Sequence, residues 1–245
     1  MRLSGLRLRV ADPKKLASFY TDVLSMSVRQ QGVSLRVGYP GQDADLLLMP
    51  GDGGYTHDTG QRYWKIGITV PDVDLAAAVL RDKGVEGSEP RQFLDIGYMC
   101  HLKDPEGFVI ELLQHDFEEN RPENAADPDA PFAKACIGQI TLRTGDIAAE
   151  DAFYQAQGMR LLSMQDVEPY GFDLHFYAFT DDVPPNPDLW AVENREWLWK
   201  RAYTALEFQH VAGARFANVP DYGGLEVEGL AAPARDAFGD PVNPG

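Results

Sequence analysis

The sequence predicts an α+β protein assembled from tandem βαβββ modules, and three observations carry that prediction. A short strand, an aspartate and an amphipathic helix recur in that order three times. The first helix after each aspartate carries apolar residues at three- and four-residue spacing, so it needs a sheet to cover. A Pro–Gly hairpin and an apolar strand then follow most clearly in the second repeat.

Module one runs Leu6-Arg7-Leu8-Arg9-Val10-Ala11-Asp12, then Leu16, Phe19, Tyr20 and Val23 on one helix face, and ends near Leu46-Leu47-Leu48-Met49. Module two opens Ile66-Gly67-Ile68-Thr69-Val70-Pro71-Asp72, with Leu75 to Leu80 as its helix. Its hairpin, Lys103-Asp104-Pro105-Glu106-Gly107, has proline early and glycine late, as such a turn requires. Module three opens Ile140 to Asp146 and continues through Ala148 to Tyr154. Its candidate strands, Phe172 to Phe179 and Ala202 to Phe208, flank a Pro- and Trp-rich stretch, Val183 to Lys200. Asp12, Asp72 and Asp146 are placed to accept hydrogen bonds from the free N–H groups of each first helical turn.

Past His210 the pattern fails, and Tyr222 to Gly229 supplies one more strand at most. Three modules are therefore recognisable, and a fourth is degenerate or missing. The expected organisation is a pair formed by modules one and two over residues 1–115, an exposed linker over 116–132, and the third module with a C-terminal remnant over 133–245.

Composition narrows the function. The chain has 245 residues and a formal charge of -16, a field that repels polyphosphate and anionic membrane surfaces, so nucleic acid and membrane partners are not expected. No apolar run approaches the roughly 18 residues of a membrane span, and the first residues lack a signal-peptide pattern. Two cysteines make no disulfide framework, and a cytoplasmic location is the expectation. A small-molecule substrate is the expected partner.

The repeat, with Asp104-Pro105-Glu106-Gly107 ahead of Ile110-Glu111-Leu112, resembles the vicinal oxygen chelate superfamily (the glyoxalase/bleomycin resistance/dioxygenase fold), and within it glyoxalase I. The resemblance implies a cleft between two facing modules, each giving one ligand from its first strand and one carboxylate from its last. It also implies a divalent metal (Zn, Ni, Fe or Mn) acting as Lewis acid, glutathione as a co-substrate, and a glutamate that moves a proton next to a carbonyl. Carried onto this chain, the first-strand position lies seven residues before the junction aspartate. Gln139 and Glu207 then agree in module three and Glu111 agrees in module two, so these three are the candidate metal ligands. Lys65 stands where a histidine is expected, and Gly5 and Leu47 fill both positions of module one.

A protonated lysine offers a metal no lone pair and repels a cation, but it can neutralise Glu111. Glu111, Glu207, Lys65 and His101 are the candidate catalytic residues, His101 because it falls across the hairpin from the Glu111 strand. Strand alternation groups Gln139, Thr141 and Arg143 on one face, and Arg143 resembles a family arginine for a substrate carboxylate. Arg9 takes the matching place in module one, and Phe172, Leu174 and Phe176, on the face opposite His175, complete the substrate-binding candidates. Val211 replaces an asparagine that the glutathione-binding pattern expects.

Three functions follow from this reading. A glyoxalase-like lyase or isomerase, acting on a small oxygenated substrate (thiol conjugates included) through a partly altered divalent-metal site, rests on Gln139, Glu207 and Glu111. A metal-free binding protein, with modules one and two closing around Lys65 and Arg9, rests on Gly5, Leu47 and Lys65. An extradiol-type dioxygenase requires two histidines and a glutamate around iron, of which His101 and Glu111 are a part. A homodimer is expected if module three is left unpaired, because an open sheet edge needs cover.

Overall fold

The computed structural model describes residues 1–245. Module one is β1 (Arg2–Val10), α1 (Pro13–Asp22), β2 (Ser27–Gln31), β3 (Ser34–Gly38) and β4 (Asp45–Pro50). Module two is β5 (Tyr63–Val70), α2 (Val73–Asp82), β6 (Arg91–Phe93), β7 (Gly97–Lys103) and β8 (Val109–Gln114). Module three is β9 (Cys136–Thr144), α3 (Ile147–Ala156), β10 (Arg160–Val167), β11 (Phe172–Ala178) and β12 (Ala205–His210), with α4 (Glu193–Trp199) inserted before its last strand. The remainder holds β13 (Tyr222–Glu228), β14 (Ala234–Arg235) and β15 (Pro241–Pro244), with no helix. It is a reduced fourth unit.

The three junction aspartates cap their helices. Asp12 accepts from the N–H groups of Lys14 and Lys15 at 3.0 Å, Asp72 from Leu75 at 3.1 Å and Asp146 from Ala149 at 3.1 Å. In the hairpin between β7 and β8, Asp104 accepts from the N–H groups of Glu106 and Phe108 and from the Tyr20 hydroxyl of α1 at 2.9 Å. One buried carboxylate thus shapes the turn and ties module two to module one, although burial pushes it up to about 6.

The strands sort into two sheets. One runs β14-β15-β13-β1-β4-β3-β2 and the other β10-β11-β12-β9-β5-β8-β7-β6. The expected pairing of modules one and two does not occur. Module two joins module three through antiparallel β5 and β9, while module one joins the C-terminal remnant through antiparallel β1 and β13. Local sequence defines each module but not which strand faces its free edge, and the partner is chosen by side chains distant in the chain. Because β9 is paired inside the chain, the unpaired module that motivated a dimer is absent.

Alternation divides each strand of the eight-stranded sheet between two environments. Ile66, Ile68, Ile110, Leu112, Ile140, Leu142, Leu206 and Phe208 enter the main hydrophobic core with residues of the other sheet. A smaller cluster, including Met99, Leu113, Leu174, Phe176 and Trp199, lines the opposite, concave face under α4. The sheets are also tied by Arg62, which is 1% exposed. Its guanidinium meets Glu150 of α3 at 2.6 Å and Asp236 and Asp240 of the C-terminal remnant at 2.6 and 2.8 Å.

Removing one partner of such a buried group strands the others. Arg62→Met is expected to lower stability by about 3–5 kcal/mol, read as a reduced midpoint in guanidinium unfolding; a change within about 0.5 kcal/mol, the range of ordinary surface substitutions, contradicts a clamp at this position.

Candidate functional site

Period-two geometry on four central strands turns Lys65 (β5), Glu111 (β8), Gln139 (β9) and Glu207 (β12) onto the concave face. Register brings them together: Gly67 faces Gln139 across β5 and β9, Gly67 faces Glu111 across β5 and β8, and Ala205 faces Gln139 across β12 and β9. Gly67 is required by this approach, since a Cβ there would lie 2.4 Å from Gln139 Cγ. A register shift between Tyr63 and Lys65 accompanies the placement of both Trp64 and Lys65 in the cavity wall.

The four polar groups form one network. Lys65 Nζ donates to Glu111 Oε1 at 2.9 Å and to Glu207 Oε2 at 3.2 Å. Gln139 Nε2 donates to the same two oxygens at 2.8 and 3.0 Å, and the Thr141 hydroxyl donates to Glu207 Oε2. His101 Nε2 lies 2.9 Å from Glu111 Oε2, close but poorly aligned, because that buried nitrogen has no well-directed acceptor. Both oxygens of Glu111 are therefore approached by protein groups. The bonds to Glu207 all converge on Oε2, leaving Oε1 outside them. Gln139 Oε1 is buried without a partner.

Burial sets the electrostatics. It disfavours the Lys65 ammonium, but the charges of Glu111 and then Glu207 more than offset this and hold the lysine protonated. Burial also disfavours ionised Glu111, yet Lys65 and His101 bring it below the usual carboxylate range. Glu207 goes the other way, raised by burial and further by the Glu111 charge against the pull of Lys65. The two carboxylates titrate as a pair, with a proton more readily accommodated on Glu207.

Around this network is a cavity of about 200 Å³. Phe172, Leu174, Phe176, Met99 and Trp199 supply its apolar wall, and Arg91, Ser88 and His101 also line it. Arg91, Ser88 and Trp199 were not singled out by sequence; Trp199 comes in on α4, in the Pro- and Trp-rich stretch whose composition was the only signal. Arg143 lies beside the site on β9, stacked 4.7 Å over the Trp64 ring and bonded to Gln209 Oε1 at 2.8 Å. Burial pushes it down to about 10.

Other expectations fail. Arg9 lies on β1 in the seven-stranded sheet, where it donates to the Pro220 carbonyl, so the pocket expected between modules one and two around Lys65 and Arg9 does not form. Arg9 cannot share a face with Lys65 once the modules occupy different sheets. At Gly5 a Cβ would lie 1.9 Å from the Asp45 carbonyl oxygen, so the backbone leaves no room for a ligand there. Of the histidines only His101 lines the cavity, so the two-histidine set of an extradiol dioxygenase is not assembled in it. His210 ends β12, and His175 lies on the face opposite Leu174, as alternation predicts.

The divalent metal that the resemblance implies does not fit these residues. Two carboxylates and an amide remain where it would bind, but the Lys65 ammonium sits between them at hydrogen-bond distance and supplies the positive charge. A second cation there would meet a fixed charge with no lone pair.

Residues 2–112 match the Glyoxalase/Bleomycin resistance protein/Dioxygenase superfamily. A lactoylglutathione lyase of Schizosaccharomyces pombe is 22% identical over 218 residues, covering 75% of this chain and 68% of that protein. A probable lactoylglutathione lyase of Vibrio cholerae is 28% identical over 125 residues, 46% of this chain and 91% of that one. Among solved structures, glyoxalase I from Zea mays superposes with a TM-score of 0.72 at 20% identity, covering 98% of this chain and 90% of that one, a likeness of fold. No helix is long and apolar enough to cross a membrane.

Lys65→Met leaves two buried carboxylates without their cation, and at least one must then take up a proton to fold. The pair's folded pKa is thereby raised above its unfolded value, so stability is retained at low pH and lost as pH rises. Unfolding measured at pH 5 and pH 8 is expected to show the larger loss at pH 8, about 3–5 kcal/mol. Equal loss at both values rules out the ion network as the cause.

Proposed function

We propose that this chain, which through residues 2–112 belongs to the Glyoxalase/Bleomycin resistance protein/Dioxygenase superfamily, is a glyoxalase-type lyase or isomerase whose site works with a lysine ammonium in place of a metal. The observation that carries the reading is buried Lys65 Nζ between Glu111 and Glu207 at the base of an apolar-walled cavity. Likeness to lactoylglutathione lyases supports the reaction class; the donors and acceptors of this cavity support the rest.

An ammonium has three N–H donors, and the carboxylates take two of those of Lys65. A substrate carbonyl oxygen is the natural acceptor for the third. Gln139 Oε1 is a buried acceptor that lacks a donor, and a hydroxyl on the carbon next to the carbonyl meets that need. The aromatic and aliphatic wall suits an apolar body. Together these favour a small α-hydroxycarbonyl compound, a class that includes thiol–aldehyde adducts. Val211 in place of the asparagine of the glutathione pattern argues for a thiol other than glutathione, or none.

Glu207 serves as the base through Oε1, the oxygen not held by Lys65, Gln139 and Thr141. The C–H bond of the hydroxyl-bearing carbon breaks, its proton goes to Glu207, and the electron pair moves toward the carbonyl oxygen facing Lys65. Return of that proton to the former carbonyl carbon, with loss of the hydroxyl proton to the other oxygen, completes an isomerisation that consumes no oxidant. Glu111 acts as the fixed counter-charge that keeps Lys65 protonated. His101, with a side chain 37% exposed, stands between this pair and solvent as a route for proton exchange.

Hydrogen–deuterium exchange at that carbon, followed by NMR in D2O with chelator-treated protein and a panel of α-hydroxycarbonyls and thiol–methylglyoxal adducts, is the test. Exchange is expected in the presence of chelator, falling by about 10²-fold or more in Glu207→Gln. Lys65→His, which restores the family's residue, is expected to gain divalent-metal affinity at this site in calorimetry. A second reading, a binding protein, is favoured by the approach of protein groups to both Glu111 oxygens. Ligand-dependent thermal stabilisation with no exchange for any compound establishes it and removes the enzyme.

A further inference from the structure

On the opposite face of the same strands lies a cluster that the cavity does not use. Alternation puts Phe172, Leu174 and Phe176 of β11 in the cavity wall and turns Asp173 and His175 the other way. His210 of β12 is the register partner of Asp173. His210 Nδ1 lies 3.1 and 3.2 Å from the two carboxylate oxygens of Asp173, and His175 Nε2 meets Asp173 Oδ1. One nitrogen from each ring and one carboxylate oxygen all fall within 4.8 Å of one another.

We propose that Asp173, His175 and His210 bind a divalent transition-metal ion of the Zn2+ or Ni2+ class. Two imidazoles and one carboxylate are the donor set that such ions prefer, and ligands of one tetrahedral ion at about 2.0–2.1 Å stand roughly 3.3 Å apart. The separations between His210 Nδ1 and the Asp173 carboxylate oxygens already approach that value. The donors come from two adjacent strands in fixed register, so little rearrangement is needed. His175 is buried, so its ring is held in place by packing before any ion arrives. Asp173 and His210 retain side-chain exposures of 28% and 16%, which gives an ion and its water a route in.

This site differs in kind from the cavity network. No ammonium stands among its donors, and nothing in it depends on Lys65. An ion there clamps β11 to β12 and so fixes the strand whose other face presents Phe172, Leu174 and Phe176 to the cavity. Its role is that of a structural pin behind the pocket wall.

Tag-free, chelator-treated full-length protein titrated with Zn2+ and with Ni2+ tests the site by calorimetry and thermal unfolding. Trp190, whose ring centroid lies 6.2 Å from that of His175, serves as a nearby reporter. The expected result is about one ion per chain with a raised melting temperature, and Ni2+ quenching that Trp190→Phe diminishes. His210→Ala and Asp173→Asn are each expected to weaken binding by about tenfold or more, while Glu111→Gln leaves it unchanged. Should His210→Ala not fold, His210→Gln gives the same readout. Absence of uptake by folded wild-type protein, or equal affinity in the His210 and Asp173 variants, overturns the site. Loss of the ion in Glu111→Gln instead also overturns it, and separately contradicts a metal-independent cavity.

Discussion

Strands β5 and β9 run antiparallel through the middle of the eight-stranded sheet, and their register is the constraint from which the site follows. It sets module two against module three and puts Gly67 opposite Gln139, leaving the amide room to lie between two carboxylates. A shift of one residue would send Lys65 into the core and Ile66 into the cavity. The ion network and the apolar core reinforce the same register from opposite faces of the sheet.

Burying one cation with two carboxylates is costly unless each charge finds partners. Here the partners are Gln139, Thr141 and His101, and the arrangement gives the two acids different characters. Glu111 is held ionised and engaged, and Glu207 is held by a single oxygen. Separation of two carboxyl groups by environment is the usual means by which one site holds both a charge and an exchangeable proton. A lysine at position 65, where the resemblance implies a histidine, thus does more than withhold a ligand. It changes what the rest of the site can do.

The seven-stranded sheet repeats the plan without the chemistry. Glu226 of β13, opposite Gly5, is fully buried and takes Arg7 at 2.8 Å and Arg36 at 2.6 Å. Its carboxylate is neutralised within the sheet, and Gly5 excludes a facing side chain. The C-terminal strands, lacking a helix, serve to complete this sheet and to carry Asp236 and Asp240 to Arg62.

Much was legible in the sequence. The capping aspartates, the helical spacing of Leu16 and Tyr20 and the Asp-Pro-Glu-Gly turn are local features, set by hydrogen bonds and steric limits within a few residues, and they defined the modules. Alternation likewise grouped Gln139, Thr141 and Arg143, and Phe172, Leu174 and Phe176, because a strand's period is fixed by its backbone. Family resemblance singled out Lys65, Glu111, Gln139 and Glu207 as one set. Which modules share a sheet was decided only by tertiary packing, since the free edge of each module presents the same backbone groups to any partner. That choice brought the four residues to one cavity, removed Arg9 from it, placed Trp199 above it, and set His175 beside His210 through cross-strand register.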